Sequence, residues 1–233
     1  MVKVVCIVQA RLGSTRLPRK VMHKINGKPI LGHCLSRLKK AKQIDEIVVA
    51  TTDLQEDKII ENYTKSVGGI SLFRGDTDDV LSRYRQCSDR HEADIIIRAT
   101  ADNPLVDPQL VDKAVLLFLE NSVDYCSNKI KPSYPMGFDI EVFSANVLAL
   151  IDNETSDIYD REHVTPPILK QSERFSLLNF ASKEDNSDLR VTVDYKSDLD
   201  LIKSIMLNFS GNEEFTCNQV VEFLKKNKSL TEY

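Results

Sequence analysis

The chain has 233 residues, 42% of them apolar and 28% charged, and a formal net charge of −4. These values predict a soluble globular protein and argue against general nucleic-acid binding, which requires a broad cationic surface, so any anion site has to be local. No apolar segment approaches the roughly 18 residues that span a bilayer, and the N-terminus lacks the features of a signal sequence, so we expect a cytoplasmic protein with no membrane contact. The five cysteines form neither a CxxC pair nor a zinc-spaced cluster, so we expect reduced thiols.

Short β-branched segments alternate with segments of helical period in the first half of the chain, which is typical of a parallel sheet with crossover helices. Strands are predicted at 2–9, 45–52, 70–75, 93–100 and 123–128, and helices at 29–42, 54–67 and 107–121. A further helix is predicted after Asp76 and Asp79, which we interpret as caps rather than catalytic acids. The chain is long enough for a sizeable core, and we expect one domain over residues 1–233.

The alternation breaks after Asn128. A Pro- and Gly-containing stretch leads into a predicted strand with Phe138, Ile140 and Val142 on one face, followed by a helix from Ser144 and a polar segment at 154–171. Strands are then predicted at 175–180 and 189–195, and helices near 197–209 and 216–227. We interpret 129–186 as an excursion from the sheet that covers the substrate and forms the interface of a homodimer, with Ile130, Tyr134, Met136 and Phe138 as its exposed apolar residues.

A cationic loop follows the first predicted strand. The segment "CIVQARLGSTRLPRK" places Arg11, Arg16, Arg19 and Lys20 around Gly13, at the sheet edge where doubly wound folds bind ligands. Glycine and small hydroxyl residues let backbone N–H groups approach phosphate oxygens, and the cations offset their charge. Neither a Walker loop nor a Rossmann glycine motif is present, which argues against a P-loop ATPase and a dinucleotide dehydrogenase. The alternative is a surface loop with scattered positive charge.

Two aspartates follow predicted strands at the same edge. Asp102 comes directly after the strand at 93–100, and Asp194 lies at the end of the strand at 189–195. Carboxylates beside phosphates require a cation between them, and magnesium is usually held by one or two carboxylates plus substrate phosphates. The sequence therefore predicts a metal–nucleotide site, although aspartates at these positions can also be turn or capping residues.

Four polar residues of the excursion are candidates for binding the second substrate. Asp139, Glu141, Arg161 and His163 could contact sugar hydroxyls or a sugar carboxylate. The alternatives are a solvated strand face for Asp139 and Glu141, and a structural hydrogen-bonding role for His163.

Six segments together resemble the sugar-acid cytidylyltransferases. "VQARLGSTRLPRKVMHKINGKPIL" resembles the opening motif of the group that contains CMP-Kdo synthetase and the CMP-sialic and CMP-legionaminic acid synthetases. "RGDTDDVLSRY", "ATADNPLVDP", "PMGFDIEV", "REHVTPPI" and "RVTVDYKSDLDLI" resemble its spore coat polysaccharide F-type branch. The segments occur in order over nearly the whole chain, which makes the resemblance specific.

The resemblance implies a Rossmann-like nucleotide-diphospho-sugar transferase fold, a three-layer α/β/α sandwich with a mostly parallel sheet. It also implies transfer of CMP from CTP to a sugar acid with Mg2+, releasing pyrophosphate, by a dimeric enzyme. At matching positions Arg16, Lys20 and Asp102 would be catalytic, and Asp102 and Asp194 would hold the metal. The nucleotide-binding residues would be Gln9, Ala10, Arg11, Gly13, Ser14, Thr15, Arg16, Lys20 and Thr100.

One position departs from that pattern, and two other functions remain open. Thr100 stands where the Kdo enzymes carry a glutamine that reads cytosine, so the resemblance supports the chemistry better than the choice of base. The acceptor could instead be a sugar or polyol phosphate. The chain could also be a nucleotide-binding module without turnover, although the presence of both Asp102 and Asp194 argues against that.

Overall fold

A seven-stranded sheet forms the centre of the computed structural model, which describes residues 2–211 and 214–231. The first elements are β1 (Val4–Gln9), β2 (Lys24–Ile25), β3 (Lys28–Pro29), α1 (Ile30–Leu38), β4 (Glu46–Thr52), α2 (Lys58–Val67), β5 (Ser71–Gly75), α3 (Val80–Arg90), β6 (Ile95–Thr100), α4 (Pro108–Asn121) and β7 (Tyr125–Ser127). The later ones are β8 (Glu141–Ser144), α5 (Ala145–Glu154), α6 (Ile158–His163), α7 (Pro166–Lys170), β9 (Leu177–Asn179), α8 (Lys196–Asn208) and α9 (Cys217–Lys226). Short 3-10 helices lie at Lys20–Met22, Gln55–Asp57 and Lys228–Leu230.

The sheet is mostly parallel, as predicted. Its strand order is β5-β4-β1-β6-β8-β7-β9, and β8 runs antiparallel to both of its neighbours while the other pairs are parallel. The small hairpin of β2 and β3 lies outside this sheet. Because β1 and β6 are central and parallel, the loops that follow Gln9 and Thr100 leave the same edge of the sheet side by side.

Helices cover both faces of the sheet, which gives the predicted three-layer α/β/α architecture. Val5 and Ile7 of β1 face a core built with α3 and α5, whereas Cys6 and Val8 face a core built with α1, α4, α8 and α9. This alternation follows from the period of two along a strand. Burial of each Val or Ile side chain stabilises the fold by about 1.5–3 kcal/mol.

The predicted caps at the start of α3 are confirmed. The Asp79 carboxylate accepts a hydrogen bond from the Ser82 backbone N–H (2.9 Å). The Asp76 carboxylate accepts from the backbone N–H groups of Asp78 and Asp79, both at 2.8 Å. These bonds satisfy donors that have no partner within the first turn of a helix.

The predicted strand at 189–195 was wrong. Only an isolated bridge between Met136 and Arg190 forms there. The alternation of apolar and polar residues that suggested a strand has another cause: residues 191–193 form a loop, and the side chains of Val191 and Val193 are buried in the hydrophobic core. That loop is held by backbone bonds from Val191 to Met136 and from Val193 to Asp102.

Residues 129–186 also differ from the expected excursion. They supply β8 and β9 to the central sheet, and the polar segment at 154–171 forms α6 and α7. The strand expected from Phe138 begins only at Glu141. Of the four apolar residues expected at a dimer interface, Tyr134 and Phe138 are instead buried in the core that packs on α4, Ile130 is partly buried, and Met136 is exposed as predicted.

All five cysteines are buried, and none of them forms a disulfide. Within the described ranges, no helix is long and apolar enough to cross a membrane.

Candidate active site

A cavity of about 540 Å³ opens at the edge where β1 and β6 end. Every site residue predicted from the sequence lines it except Arg161. The predicted residues that line it are Gln9, Ala10, Arg11, Gly13, Ser14, Thr15, Arg16, Lys20, Thr100, Asp102, Asp139, Glu141, His163 and Asp194. The structure therefore brings together residues that lie up to 185 positions apart in the sequence.

The cationic loop is fixed to the protein interior by buried apolar side chains and by a backbone hydrogen bond. Leu12 and Leu17 are buried, and the Leu12 backbone N–H donates to the carboxylate of Asp57 (2.8 Å), which is itself buried and accepts from Thr52. A side chain added at Gly13 would meet no atom within 4 Å, so the loop is open above this residue. Because the loop is fixed on its inner side and the space beside Gly13 is empty, a phosphate group has room to contact the loop backbone.

Lys20 joins the two predicted metal ligands. Its Nζ donates to Asp102 Oδ2 (2.6 Å) and to Asp194 Oδ1 (2.7 Å). Lys20 begins the 3-10 helix that follows the cationic loop, and the backbone of Asp102 accepts from Val193, so three separate segments fix this arrangement. An ammonium group thus lies between the two carboxylates for which the sequence predicted a metal ion.

Asp194 is surrounded by cations. Besides Lys20, its carboxylate accepts from Arg16 (3.0 Å) and from Arg190. Burial alone would raise the pKa of Asp194, but the hydrogen bonds from Lys20 and Arg190 outweigh it and hold the pKa below its ordinary value. Asp198, at the start of α8, accepts from the Asp194 and Tyr195 backbone N–H groups and fixes the loop. Asp194 is therefore an anion at neutral pH.

Glu141 is buried, so the solvated strand face that was an alternative for it is wrong. Its carboxylate accepts from Arg98 (2.5 Å), Tyr125 (2.7 Å) and Thr165 (2.6 Å), and its side chain is 4% exposed. Desolvation would raise the pKa of Glu141, but Arg98, Lys129 and these hydrogen bonds lower it to about 2. Glu141 is saturated by donors of the protein and orients Arg98 beneath the cavity.

Asp139 has fewer partners than Glu141. Its Oδ2 accepts one long hydrogen bond, from the Gly137 backbone N–H (3.5 Å). Burial raises the pKa of Asp139, and the nearby charge of Glu141 adds to the rise while Lys129 opposes it. A carboxylate with free acceptor capacity in a cavity can accept a hydrogen bond from a ligand.

Arg161 does not reach the cavity, in contrast to its predicted role. Its guanidinium donates to the carboxylates of Asp79 (2.8 Å) and Asp152 (2.7 Å) and to the carbonyl of Thr155 (2.7 Å). These bonds tie α6 to α3 and α5. Because its donors are used by the protein, Arg161 acts as a structural residue in this arrangement.

The chain next to Arg161 does line the cavity and is held in an unusual turn. Glu162 and His163 face the cavity, and Glu162 accepts from Arg11 (3.1 Å). Val164 follows with φ 70° and ψ −59°, and the Thr165 backbone N–H donates to the His163 carbonyl (2.9 Å). This is a γ-turn, which is strained for a β-branched residue. The turn ends α6 directly after Glu162 and His163.

Sequence reasoning missed several lining residues. They are Val21, Val80, Arg83, Arg98, Ala101, Asn103, Lys129, Met136, Glu162 and Thr192. Arg98 could have been found as the one cation in the apolar segment "ADIIIRAT", and Arg83 as part of "RGDTDDVLSRY". Gln9 Oε1, Arg83 Nε, Arg98 Nε and Asn103 Oδ1 are buried with no hydrogen-bond partner among the described residues. Such groups are rare in folded proteins and mark places where a ligand or water completes the bonding.

The two carboxylates fit a magnesium ion. No group of three or more His, Cys, Asp and Glu residues in the described part of the chain could hold a metal. Magnesium does not require such a cage, because it keeps several waters and uses one or two carboxylates with substrate phosphates. Asp102 and Asp194 already share one cation, the Lys20 ammonium, and are the residues that would hold the ion.

Comparison with known proteins identifies the family. The cytidylyltransferase family model matches residues 5–228. The spore coat polysaccharide biosynthesis protein SpsF of Bacillus subtilis is 31% identical over 229 residues, which cover 95% of this chain and 93% of that protein. The solved structure of a cytidylyltransferase from Leptospira borgpetersenii serovar Hardjo-bovis is 35% identical, with a TM-score of 0.95 over 99% of this chain and 97% of that one.

A more distant structure shares the fold. CMP:2-keto-3-deoxy-manno-octonic acid synthetase complexed with CTP is 19% identical, with a TM-score of 0.67 over 88% of this chain and 99% of that one. The fold and the family predicted from the sequence motifs are both confirmed. The chain belongs to the cytidylyltransferase family and is a nucleotidyltransferase.

Proposed function

We propose that this chain transfers CMP from CTP to a sugar acid, giving a CMP-sugar and pyrophosphate for the synthesis of a surface polysaccharide or glycan. The observation that carries the proposal is the Lys20 ammonium held between Asp102 and Asp194 inside a cavity lined by the cationic loop. The similarity to a spore coat polysaccharide protein and to a sugar-acid synthetase with bound CTP supports this choice within the family.

The loop after β1 binds the triphosphate in this proposal. Backbone N–H groups near Gly13, Ser14 and Thr15 approach the phosphate oxygens, and Arg16 and Lys20 offset their charge. Gln9, Ala10, Arg11 and Thr100 line the adjacent wall and contact the nucleoside.

The reaction is an in-line displacement at the α-phosphorus. A hydroxyl oxygen of the sugar attacks phosphorus and releases its proton to water, and the bond between the α-phosphorus and the bridging oxygen of pyrophosphate breaks. Arg16 and Lys20 stabilise the negative charge that accumulates on the leaving pyrophosphate. Removing one such contact typically costs about 10² to 10³ in rate.

Asp102 and Asp194 hold Mg2+ in the proposed enzyme. A bound magnesium ion supplies neutralisation of phosphate charge and Lewis acidity at a phosphoryl oxygen. Asp194 remains ionised at neutral pH, since its pKa is lowered despite its burial. Lys20, which now neutralises both carboxylates, is then available to donate to the triphosphate.

The acceptor occupies the end of the cavity near β8. Asp139 accepts a hydrogen bond from a sugar hydroxyl, and His163 contacts the sugar from α6. Lys129, whose Nζ lies 3.5 Å from Glu141 Oε2, is the half-exposed cation at this end and takes the carboxylate-binding role that the sequence assigned to Arg161. Glu141 supports this end from beneath by fixing Arg98.

Product analysis tests the proposal against its nearest alternative, a sugar or polyol phosphate acceptor. Incubation with CTP, Mg2+ and a panel of sugar acids should release pyrophosphate and give one monophosphodiester resonance in phosphorus NMR. A second panel of sugar and polyol phosphates tests the alternative, and a coupled pair of diphosphate resonances from its product would show that the acceptor is a phosphate instead of a sugar acid. No pyrophosphate with either panel would favour the nucleotide-binding module without turnover.

The homodimer implied by the resemblance stays a prediction. Light scattering at micromolar concentration should give twice the chain mass of 26.4 kDa. A monomeric mass would exclude it under those conditions.

A further inference from the structure

Arg83 is a buried cation in the wall of the cavity, and it has no assigned role in the reaction proposed above. The residue is 1% exposed and lies in the second turn of α3. Its side chain makes one hydrogen bond among the described residues, from Nη1 to the Asp76 carbonyl oxygen (2.6 Å). Nε has no partner, and no carboxylate of the described residues forms a salt bridge with the guanidinium.

The nearest acids cannot compensate this charge by contact. The Asp57 carboxylate accepts from Leu12 and Thr52, and the Asp76 carboxylate accepts from the backbone of Asp78 and Asp79. Burial lowers the pKa of Arg83, and the neighbouring charge of Arg11 lowers it further. A buried donor without a partner costs free energy, which a ligand that brings an acceptor can offset.

The position of Arg83 indicates which part of a nucleotide would supply that acceptor. Arg83 packs beside Gly75 at the end of β5, the edge strand. Lys20 and its two carboxylates lie near the ends of the central strands β1 and β6, and Asp139 and Glu141 lie at β8. If the triphosphate lies over the middle and the sugar at β8, the nucleotide base occupies the end near β5.

The hydrogen-bond donors of the Arg83 guanidinium that have no partner in the protein indicate which base would bind. Since Nη1 is engaged by Asp76, the guanidinium keeps its Nε–Nη2 edge, which carries two parallel donors. Cytosine presents two neighbouring acceptors, N3 and O2, and matches such an edge. Uracil carries a hydrogen on N3, which would face a donor. Val80, also in the cavity wall and 2% exposed, offers an apolar contact for the flat ring.

We propose that Arg83 is the specificity-determining residue that reads cytosine through N3 and O2. This inference rests on the proposed use of CTP. It assigns the selection of the base to α3 and not to Thr100, the last residue of β6.

Binding measurements with Arg83→Lys test the inference. Lysine keeps a positive charge and can still donate to the Asp76 carbonyl, but it lacks two parallel donors. Affinity for CTP should fall by about tenfold or more, the scale of one lost bidentate base contact, and the preference for CTP over UTP should approach one. Affinity for tripolyphosphate, which has no base, should remain unchanged.

Two controls keep the result interpretable. Arg85→Lys alters a half-buried arginine of the same helix that lies outside the cavity and pairs with Asp89 (3.0 Å), and it should change none of these affinities. A measurement on the wild-type protein needs no variant: 3-deaza-CTP, which has C–H in place of N3, should bind about tenfold or more weaker than CTP. This second measurement decides the matter if Arg83→Lys does not fold.

The outcomes separate this inference from the proposed function. Equal loss of CTP and tripolyphosphate affinity would assign Arg83 to the phosphates and overturn base reading. Unchanged CTP affinity and preference, or equal binding of 3-deaza-CTP, would leave Arg83 as a structural residue. A wild-type protein that does not prefer CTP to UTP would overturn the proposed function itself, together with the inference.

Discussion

Asp102 and Asp194 share the Lys20 ammonium, but their other contacts differ. The Asp102 carboxylate receives a hydrogen bond from Lys20, whereas Asp194 receives hydrogen bonds from Lys20, Arg16 and Arg190. Loss of charge at Asp102 leaves Lys20 paired with Asp194. Loss of charge at Asp194 removes a carboxylate partner from three cations at once. We therefore expect that loss of either aspartate reduces turnover by a similar factor, and that loss of Asp194 lowers the free energy of unfolding more than loss of Asp102.

Paired substitutions should reveal this inequality. Asp102→Asn and Asp194→Asn should each reduce turnover of CTP by about a hundredfold or more, the scale of one lost electrostatic contact. Urea unfolding should show a free energy of unfolding within about 1 kcal/mol of wild type for Asp102→Asn and a loss of about 1–3 kcal/mol for Asp194→Asn. Turnover close to wild type in either variant would remove that aspartate from the site.

Glu141 makes the stability of the fold depend on pH. Its pKa is about 2 in the folded chain, against about 4.3 for an unperturbed glutamate, so the unfolded chain binds this proton first as the pH falls. The Glu141 contribution, about 3 kcal/mol from this difference, is complete above about pH 5 and is lost as the pH falls toward 2. Arg98, buried beside it, loses its carboxylate partner when Glu141 is protonated.

Glu141→Gln should remove this dependence. At pH 7 the variant should unfold with about 3 kcal/mol less free energy than wild type, because Arg98 is left without a counter-charge. The gap between the two proteins should narrow as the pH falls from about 5 to 3, measured by urea unfolding at each pH. Glu46, whose pKa is also about 2, is present in both proteins, so its effect cancels in the difference. A gap that stays constant with pH would contradict the ionic role of Glu141.

At the scale of elements, the sequence predicted the sheet and its loops better than the second half of the chain. Apolar runs such as 93–100 are recognisable because a central parallel strand is buried on both faces. The segment at 189–195 shows the alternation of a half-buried strand for a different reason, since Val191 and Val193 are buried in a loop whose backbone bonds to Met136 and Asp102, far away in sequence. Periodicity in the sequence does not reveal backbone hydrogen-bond partners that lie so far apart along the chain.

The candidate site divides in the same way. Asp102 and the cationic loop could be predicted because they follow strands whose carboxyl ends meet at one edge. The position of Arg161 could not, because its direction is set by acceptors on α3 and α5 that pack against α6 only in the folded chain. Lys129 and Glu162 likewise reach the cavity through tertiary packing that no local pattern encodes.

Gly137 couples two segments that carry site residues. Its φ is +108°, and a Cβ there would lie 2.8 Å from the Thr192 nitrogen and the Val191 carbonyl carbon, both in the loop that leads to Asp194. Gly137→Ala should therefore destabilise the protein by about 1–3 kcal/mol, because the backbone has to shift or remain strained. Chemical denaturation measures the loss, and CTP turnover should fall with it, since Asp194 is displaced.

Gly13→Ala is the matched control for that substitution. A Cβ at Gly13 meets nothing within 4 Å, so the free energy of unfolding should stay within about 0.5 kcal/mol of wild type. The added methyl group would enter the space proposed for phosphate, and affinity for CTP should fall in calorimetry. Equal destabilisation by both substitutions would mean that Gly137 is not a special contact.

For the whole molecule, the cavity proposed to bind the substrates should also affect thermal stability. Helices α3 and α6 and strands β1, β6 and β8 contribute residues to its walls, so a ligand bound there to the folded chain alone stabilises the fold by mass action. At a hundred times its dissociation constant, such a ligand adds about 2.7 kcal/mol. For a chain of this size, that corresponds to a rise in Tm of about 5–10 °C.

Lys20 should determine whether Mg2+ raises the Tm of the protein in the absence of nucleotide. In the free protein its ammonium neutralises Asp102 and Asp194, so Mg2+ alone should raise the Tm of wild type by less than about 2 °C, whereas CTP with Mg2+ should give the full rise of about 5–10 °C. Lys20→Met leaves the two carboxylates without that cation, so its Tm should be lower and Mg2+ alone should restore part of the loss. Differential scanning calorimetry measures the Tm of wild type and of Lys20→Met, without ligand, with Mg2+ alone and with CTP and Mg2+. Ca2+ and Na+ serve as controls for ion type and ionic strength. A Lys20→Met protein that does not respond to Mg2+ would show that these two carboxylates cannot hold the ion without the nucleotide.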